Sequence, residues 1–201
     1  MNVVYLIIAY SLGSIPFGFV IGKAKGIDIR KYGSGNIGTS NVARILGKKA
    51  ALLTLLGDGL KGLLPVLLAK LFIESDAWIV AVGLAAIAGH NWSMFLKFQG
   101  GKGVTTTYGA YLGIAWLPGL LTILVWIVVT GVTNKSSVAA LLSAACAPIL
   151  AFALRTSAPI LIFAAIGAVL IYLRHIENIR RILAGTENTL TKTEDIERDD
   201  S

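Results

Sequence analysis

Residues 50–73 read AALLTLLGDGLKGLLPVLLAKLFI, a long apolar run that contains only three charged side chains. A helix needs about 20 residues to cross the hydrocarbon core of a bilayer, so this run is long enough to span one. Asp58 and Lys61 lie well inside it, where charges are costly and seldom face lipid. Three residues apart, they can pair on one face of the helix. The stretch therefore predicts a bundle of membrane helices with Asp58 and Lys61 turned inward in a structural role.

The composition of the whole chain agrees with a membrane protein. Its 201 residues are 55% hydrophobic and only 14% charged, with a mean hydropathy of +0.75. Soluble domains carry about 25% charged residues, so this chain lacks the charge to cover a surface facing water. The net charge of +7 fits anionic lipid, an anionic substrate, or orientation by the positive-inside rule.

Further apolar runs lie on both sides of the first one, and two of them are short. They cover residues 1–22, 77–96, 104–117, 119–133, 137–154 and 158–174. Pro118-Gly119 separates the short pair, which forms either one kinked span or two short helices that meet at a tight bend. The positive-inside rule favours two helices, because most cations then fall on one face. We therefore predict an all-α integral membrane protein with seven transmembrane helices, two of them short, with the N-terminus outside and the C-terminus cytoplasmic. Residues 1–188 would form one polytopic domain, and residues 189–201 a polar, solvated tail.

The first polar segment between the runs is Gly33-Ser34-Gly35-Asn36-Ile37-Gly38-Thr39-Ser40-Asn41. Glycines let the backbone curl so that its N–H groups face an anion, and cations flank the segment on both sides. Its glycine spacing matches a dinucleotide fingerprint, but no strand pattern precedes it. Arg44 follows, and we expect the segment to bind a phosphate or carboxylate.

A second glycine-rich segment runs from Lys97 to Thr106 and reads KFQGGKGVTT. Three glycines and Lys102 precede a helix start, and helix N-termini suit phosphate groups. The segment is not a Walker loop, because glycine follows Lys102. Two such segments on one membrane face predict a shared anion site.

The chain contains two histidines, His90 and His175. We expect a structural, hydrogen-bonded role for His90. His175 shares a helix face with Asn178, and Arg174, Asn178 and Arg181 share another. This histidine–asparagine pair could contact an ester-forming oxygen.

In this order and spacing, the motifs resemble those of the bacterial acyl-phosphate:glycerol-3-phosphate acyltransferases, the PlsY family. The resemblance runs from Gly13 through Gly18 to the end of the last helix. Its motifs include GSGN with Gly38, Asn41 and Arg44, then DGLKG at 58–62, Gly89-His90, Phe98 through Gly103, Asn134 through Ser137, and Arg174-His175 with Asn178. Family members typically carry proline where this chain has Ile37, a departure that leaves the hydrogen-bonding residues in place.

The resemblance implies transfer of a fatty acyl group from acyl phosphate to the sn-1 hydroxyl of glycerol 3-phosphate. The product would be lysophosphatidic acid, made at the cytoplasmic face of the bacterial inner membrane. Acyl phosphate, glycerol 3-phosphate and membrane lipid are then the expected partners, with no metal, cofactor or nucleic acid. The proton acceptor stays open between His175 and a substrate phosphate.

Three groups of site residues follow from the motifs and the resemblance. The expected catalytic residues are Arg44, Lys102, His175 and Asn178. The expected substrate-binding residues are Ser34, Gly35, Asn36, Gly38, Thr39, Asn41, Gly101, Gly103, Thr105 and Ser136. Structural or supporting roles are expected for Asp58, Lys61, His90 and Arg174. The competing hypothesis is a transporter or flippase for a small phosphorylated anion, although the chain shows no repeated halves.

Overall fold

The secondary structure is helical throughout the part of the chain that is described. A computed structural model describes residues 2–190, and this range contains no strand, which confirms the all-α prediction. Its helices are α1 (Asn2–Ser14), α2 (Phe17–Ala24), α3 (Thr39–Lys70), α4 (Asp76–Asn91), α5 (Val104–Ile114), α6 (Trp116–Thr133), α7 (Ser136–Ala153), α8 (Ala158–Arg174) and α9 (Ile176–Leu183).

Several of these helices are long and apolar enough to cross a membrane, so the chain is a multi-pass membrane protein. Within residues 2–190 there are five candidate spans: Asn2–Ala24, Thr39–Lys70, Asp76–Leu96, Trp116–Thr133 and Ser136–Ala153. The pair α8 and α9 would add a sixth, although it bends by 63°. Helix α5 has 11 residues and reaches only about 16 Å at 1.5 Å per residue. By length and composition, this count stays below the seven predicted spans.

The two helices expected to be short do not break where the sequence suggested. Ala115 is extended (φ −144°) and separates α5 from α6, so α6 begins at Trp116 and has 18 residues. Pro118 then lies in the first turn of α6, where a missing N–H costs nothing. The prediction of a second short helix is therefore wrong, because Pro118-Gly119 belongs to a helix start and not to the bend.

Helices α5 and α6 fold back on each other as a hairpin. Gly119 lies against the backbone of Leu112 near the bend. At the other end, Val104 and Trp126 pack against the same small apolar cluster. The two segments are therefore antiparallel neighbours and not one kinked span.

The short helix α5 packs closely against α3. A side chain at Gly62 would collide with the carbonyl oxygen of Thr106, and one at Gly109 would collide with that of Gly59. Small residues of this kind allow membrane helices to approach backbone to backbone. The N-terminal end of α5 is thereby held beside α3.

Helix α3 is divided by a backbone break at Gly47. This residue has φ 80° and ψ 178°, values far from helical. The break separates a short piece, residues 39–46, from the long apolar piece that follows. The short piece carries the end of the first polar segment and Arg44.

Candidate active site

One cavity gathers the polar segments that the sequence singled out. Its volume is about 580 Å³, and its wall takes residues from the first glycine segment, the starts of α3, α5 and α7, and the junction of α8 with α9. The prediction that these segments converge is confirmed.

Most of the predicted site residues line this cavity. They are Ser34, Asn36, Gly38, Thr39, Asn41, Arg44, Lys102, Gly103, Thr105, Ser136, His175 and Asn178. Asp58 and His90, expected in supporting roles, line it as well. Gly35, Gly101, Lys61 and Arg174 are not part of its wall.

The N-terminal ends of three helices lie at the cavity. Helices α3, α5 and α7 begin at Thr39, Val104 and Ser136, and none of the three has a hydrogen-bonded side-chain cap. The first N–H groups of a helix lack partners inside it and form the positive end of the helix dipole. Three such ends around one cavity make it suited to anions.

The first glycine segment is held by its own side chains. Asn41 is 1% exposed; its Oδ1 accepts from the Ser34 N–H, and its Nδ2 donates to the carbonyl of Tyr32. Asn36 Oδ1 accepts from the Gly38 N–H at 2.8 Å. The Gly35 N–H donates to the Tyr32 carbonyl. Contrary to the expectation for Gly35, this N–H is therefore not available to a substrate phosphate.

Two further side chains of this segment, Thr39 and Ile37, differ in their surroundings. Thr39 Oγ1 is buried without a hydrogen-bond partner among the described residues, so it can donate to a bound anion. Ile37, the departure from the family pattern, is buried in an apolar cluster with Ile29 and Val42. The polar residues of the segment thus line the cavity, while Ile37 packs on the opposite side into the apolar cluster.

The second glycine segment is held by other helices. The N–H groups of Gly100 and Gly101 donate to the carbonyls of Asn91 and His90 at the end of α4. Arg174 donates to the carbonyls of both glycines at 2.9–3.0 Å. Gly101 also lies against the His90 ring, where a side chain would collide. The expected contact of Gly101 with substrate is therefore replaced by a packing role.

Beneath this segment lies a buried charged group that connects three helices. Asp58 is 2.8 Å from Lys61 Nζ and 3.7 Å from His90 Nδ1. Lys61 Nζ also donates to the Ile15 carbonyl at 2.6 Å. These contacts link α3 to the end of α1 and to α4, next to the cavity.

A hydrogen-bonded network joins Lys102 to Glu187, in the stretch that follows α9. Lys102 Nζ donates to Asn178 Oδ1, and Asn178 Nδ2 donates to Glu187 Oε1. Ser137 Oγ donates to the same carboxylate oxygen, and Arg181 Nε donates to the other at 2.8 Å. Glu187 was not among the residues predicted from the sequence, since it lies in a short polar stretch after α9 and has no local pattern of its own.

The charges in this network shift two pKa values. Burial, followed by the nearby Arg181, lowers the pKa of Lys102 to about 8. For Glu187, burial alone would raise the pKa, but the hydrogen bonds from Asn178, Ser137 and Arg181 outweigh it and hold the pKa below its ordinary value. Near neutral pH, Lys102 is a cation and Glu187 an anion.

The chain also bends at His175, which changes how the residues of α9 are arranged relative to those of α8. The helix axis turns by 63° between α8 and α9, so the prediction that Arg174, Asn178 and Arg181 share a helix face is wrong. His175 Nδ1 lies 2.8 Å from the Ile171 carbonyl oxygen. Because a carbonyl only accepts, Nδ1 carries the proton, and Nε2 of the neutral ring is the acceptor.

Thr189 and Leu190, expected to belong to a solvated tail, are held by hydrogen bonds. The Thr189 carbonyl accepts from Arg44 Nε at 2.9 Å, and the Leu190 N–H donates to the Asn134 carbonyl. These two residues are docked beside the cavity. The rest of the predicted tail, residues 191–201, lies outside the described residues.

The other part of the cavity is apolar. Side chains of α3, α5 and α6 form this wall: Leu55, Leu56, Leu60, Leu63, Leu112, Ile123, Trp126 and Ile127. An apolar groove thus continues directly from the cationic end. The fold and the cavity define a helical membrane protein that can hold an amphiphile with an anionic head.

Comparison with known proteins gives the family. The family model for glycerol-3-phosphate acyltransferase matches residues 3–185. The glycerol-3-phosphate acyltransferase of Geotalea daltonii is 42% identical over 191 residues, covering 95% of this chain and 98% of that protein. That of Geobacter sulfurreducens is 44% identical over 181 residues, covering 90% and 93%.

Solved structures agree with the sequence comparisons. The glycerol 3-phosphate form of PlsY, an integral membrane glycerol 3-phosphate acyltransferase, is 39% identical with a TM-score of 0.90, covering 94% of each chain. Its lysophosphatidic acid form has a TM-score of 0.87 at the same coverage. The chain belongs to the PlsY family of glycerol-3-phosphate acyltransferases.

Proposed function

We propose that the protein transfers a fatty acyl group from acyl phosphate to the sn-1 hydroxyl of glycerol 3-phosphate. The products are lysophosphatidic acid and inorganic phosphate. The observation that carries this proposal is one shared cavity, in which three helix N-termini and several cations adjoin an apolar groove. Relatives crystallised in glycerol 3-phosphate and lysophosphatidic acid forms support the choice of acceptor and product.

The polar end of the cavity suits two phosphate groups. Thr39 and Arg44 lie on the short piece of α3, while Lys102 and Gly103 precede α5. Ser136 begins α7 and lies 2.7 Å from Ser40, so these two helix starts are in contact. Hydrogen bonds from charged donors are roughly twice as strong as neutral ones, and such donors line both sides of the cavity.

The apolar end suits a fatty chain. Its leucines, isoleucines and Trp126 come from α3, α5 and α6, and many apolar side chains of α3 and α6 lie on the outer surface of the bundle. An acyl chain can lie there while its anhydride group lies among the phosphate-binding groups. The hydroxyl and the carbonyl would then be aligned, an effect worth about 7–11 kcal/mol in well-oriented reactions.

The chemistry needs one bond to form and one to break. The sn-1 hydroxyl oxygen attacks the acyl carbonyl carbon, the bond from that carbon to the phosphate oxygen breaks, and the hydroxyl proton passes to the departing phosphate. Lys102 and Asn178 offset the charge that develops on the leaving oxygens. His175 Nε2 accepts a hydrogen bond from the sn-2 hydroxyl and thereby orients the glycerol part, which leaves the sn-1 proton free to pass to the phosphate.

We also propose that the cavity faces the cytoplasm, with the N-terminus outside. Three cations line the cavity: Arg44, Lys102 and Arg181. Lys70 lies at the opposite end of α3, where it donates to the carbonyl of Ile114. Under the positive-inside rule, the end richer in cations is cytoplasmic. Both phosphorylated substrates would then reach the site from the cytosol or the inner leaflet.

The test uses purified protein in lipid vesicles with labelled glycerol 3-phosphate. We expect labelled lysophosphatidic acid with palmitoyl phosphate as donor and none with palmitoyl coenzyme A. Formation of product from coenzyme A alone would overturn the donor assignment. Uptake of label into the vesicles without acylation would support a carrier and overturn the proposal.

A further inference from the structure

The Glu187 carboxylate lies inside a site that otherwise collects cations and helix N-termini. Its side chain is 3% exposed, and three donors surround it, from Ser137, Asn178 and Arg181. A buried carboxylate repels anions, so it does not bind the phosphorylated substrates, and its place in this site needs another explanation. Its hydrogen bonds show what that purpose is.

The orientation of Asn178 is the feature that depends on Glu187. A side-chain amide has an oxygen end and a nitrogen end of nearly equal shape, so shape alone does not fix which way it points. Here one end faces the Lys102 ammonium, which only donates, and the other faces the Glu187 carboxylate, which only accepts. Only one orientation satisfies both, with Oδ1 toward Lys102 and Nδ2 toward Glu187.

We infer that Glu187 is a positioning residue for acyl transfer, which fixes the Asn178 amide and through it the Lys102 ammonium. This inference rests on the proposed function, since Lys102 and Asn178 are the groups assigned to the leaving phosphate.

The segment that carries Glu187 is itself held at the site. The helix α9 ends at Leu183, and Gly185 has φ 71°, which turns the chain back. Two residues beyond Glu187, the Thr189 carbonyl accepts from Arg44, and Leu190 is bonded to the Asn134 carbonyl. The stretch from 185 to 190 therefore contacts α3, α7 and α9, and it completes the polar wall of the cavity.

The pH dependence of Lys102 gives a readout that a purely structural role would not move. The charge of Glu187 raises the pKa of Lys102 against the lowering by burial and Arg181. Removing that charge should move the alkaline loss of activity to lower pH. The other charged or titratable groups that act on Lys102, or on which it acts, are Arg44, His175, Glu177 and Arg181, and all of them stay unchanged in the variant.

The experiment compares wild type with Glu187→Gln in lipid vesicles, using palmitoyl phosphate and glycerol 3-phosphate across a pH series. We expect kcat to fall about 10- to 100-fold, because small misplacements of reacting groups have effects of that size. The alkaline limb should also move to lower pH. Glu74→Gln, the same change at an exposed residue between α3 and α4, should alter neither.

The exchange variant Asn178→Asp with Glu187→Gln serves if the single variant does not fold. The new carboxylate at position 178 can accept from both Lys102 and the new amide at position 187, so the exchange should regain activity lost in Asn178→Asp alone. A Glu187→Gln protein with kcat within about twofold of wild type and an unmoved alkaline limb would overturn the inference. So would an exchange variant no more active than Asn178→Asp. An inactive wild type would instead overturn the proposed function.

Discussion

The two glycine-rich segments occupy the same cavity but are held in different ways. The first is braced from within, because Asn36 and Asn41 bond to the backbone of their own segment. The second is braced from outside, by Arg174 and by carbonyls at the end of α4. Similar sequences of glycine and polar residues therefore reach the same result through local bonds in one case and long-range bonds in the other.

The largest effect is expected at Lys102 of the second segment. Lys102→Met should lower kcat/KM by about 100- to 1000-fold, the usual cost of removing a donor that offsets developing charge. The measurement is acylation of labelled glycerol 3-phosphate in vesicles. Lys97→Met makes the same change at an exposed residue five positions earlier, and it should leave the rate intact. A Lys102→Met protein with normal turnover would show that Lys102 supplies no charge to the reaction.

The external bracing of the second segment can be tested at Arg174. Arg174→Met removes three hydrogen bonds to the carbonyls of Gly100 and Gly101 and should lower kcat about 10- to 100-fold through misplacement of Lys102. The free energy of unfolding should also fall. Arg180→Met, an exposed arginine on α9, is the matched control. Equal activity in the two variants would mean that the second segment holds its shape alone.

The first segment is tested at its unpartnered hydroxyl. Thr39→Val should raise the KM for a phosphorylated substrate about tenfold, since a hydrogen bond to a charged group contributes about 1.5–3 kcal/mol. Stability should not fall, because the hydroxyl has no partner to lose within residues 2–190. Thr54→Val, whose hydroxyl bonds to the Ala50 carbonyl on the same helix, should keep the wild-type KM. An unchanged KM in Thr39→Val would remove this hydroxyl from the binding site.

The smallest effect concerns pH. The pKa of Lys102 lies at about 8, and its cationic form exists below that value. Activity should therefore fall as pH rises through 8, by about fivefold between pH 8 and 9 if only the protonated form works. Lys102→Arg keeps its charge across this range and should show a flat profile there. A wild-type profile without an alkaline fall would separate the protonation of Lys102 from turnover.

The sequence predicted the features that depend on local pattern. Runs of apolar residues gave the helices, and glycines with cations marked both polar segments. The pairing of Asp58 with Lys61 followed from a spacing of three residues in an apolar helix. Each of these depends on neighbours along the chain, and periodicity reports such neighbours directly.

The sequence could not show features set by distant residues. Gly101 resembled a phosphate-binding glycine, yet its N–H is taken by a carbonyl eleven residues earlier and its face by the His90 ring. The bend at His175 lies in a segment whose periodicity looks continuous. Glu187 becomes part of the site only because the chain turns back after α9. In each case a partner far away in sequence decides the role.

The break at Gly47 has a consequence for how the enzyme tolerates different membranes. Helices adjust to bilayer thickness by tilting, and a continuous α3 would transmit any such tilt to Thr39 and Arg44. With one glycine out of the helical conformation, the long apolar piece can lean while Asn41, on the short piece, keeps its bonds to Ser34 and Tyr32. We expect the groups on the short piece, Thr39 and Arg44, to keep their positions when the thickness of the membrane around the long piece changes.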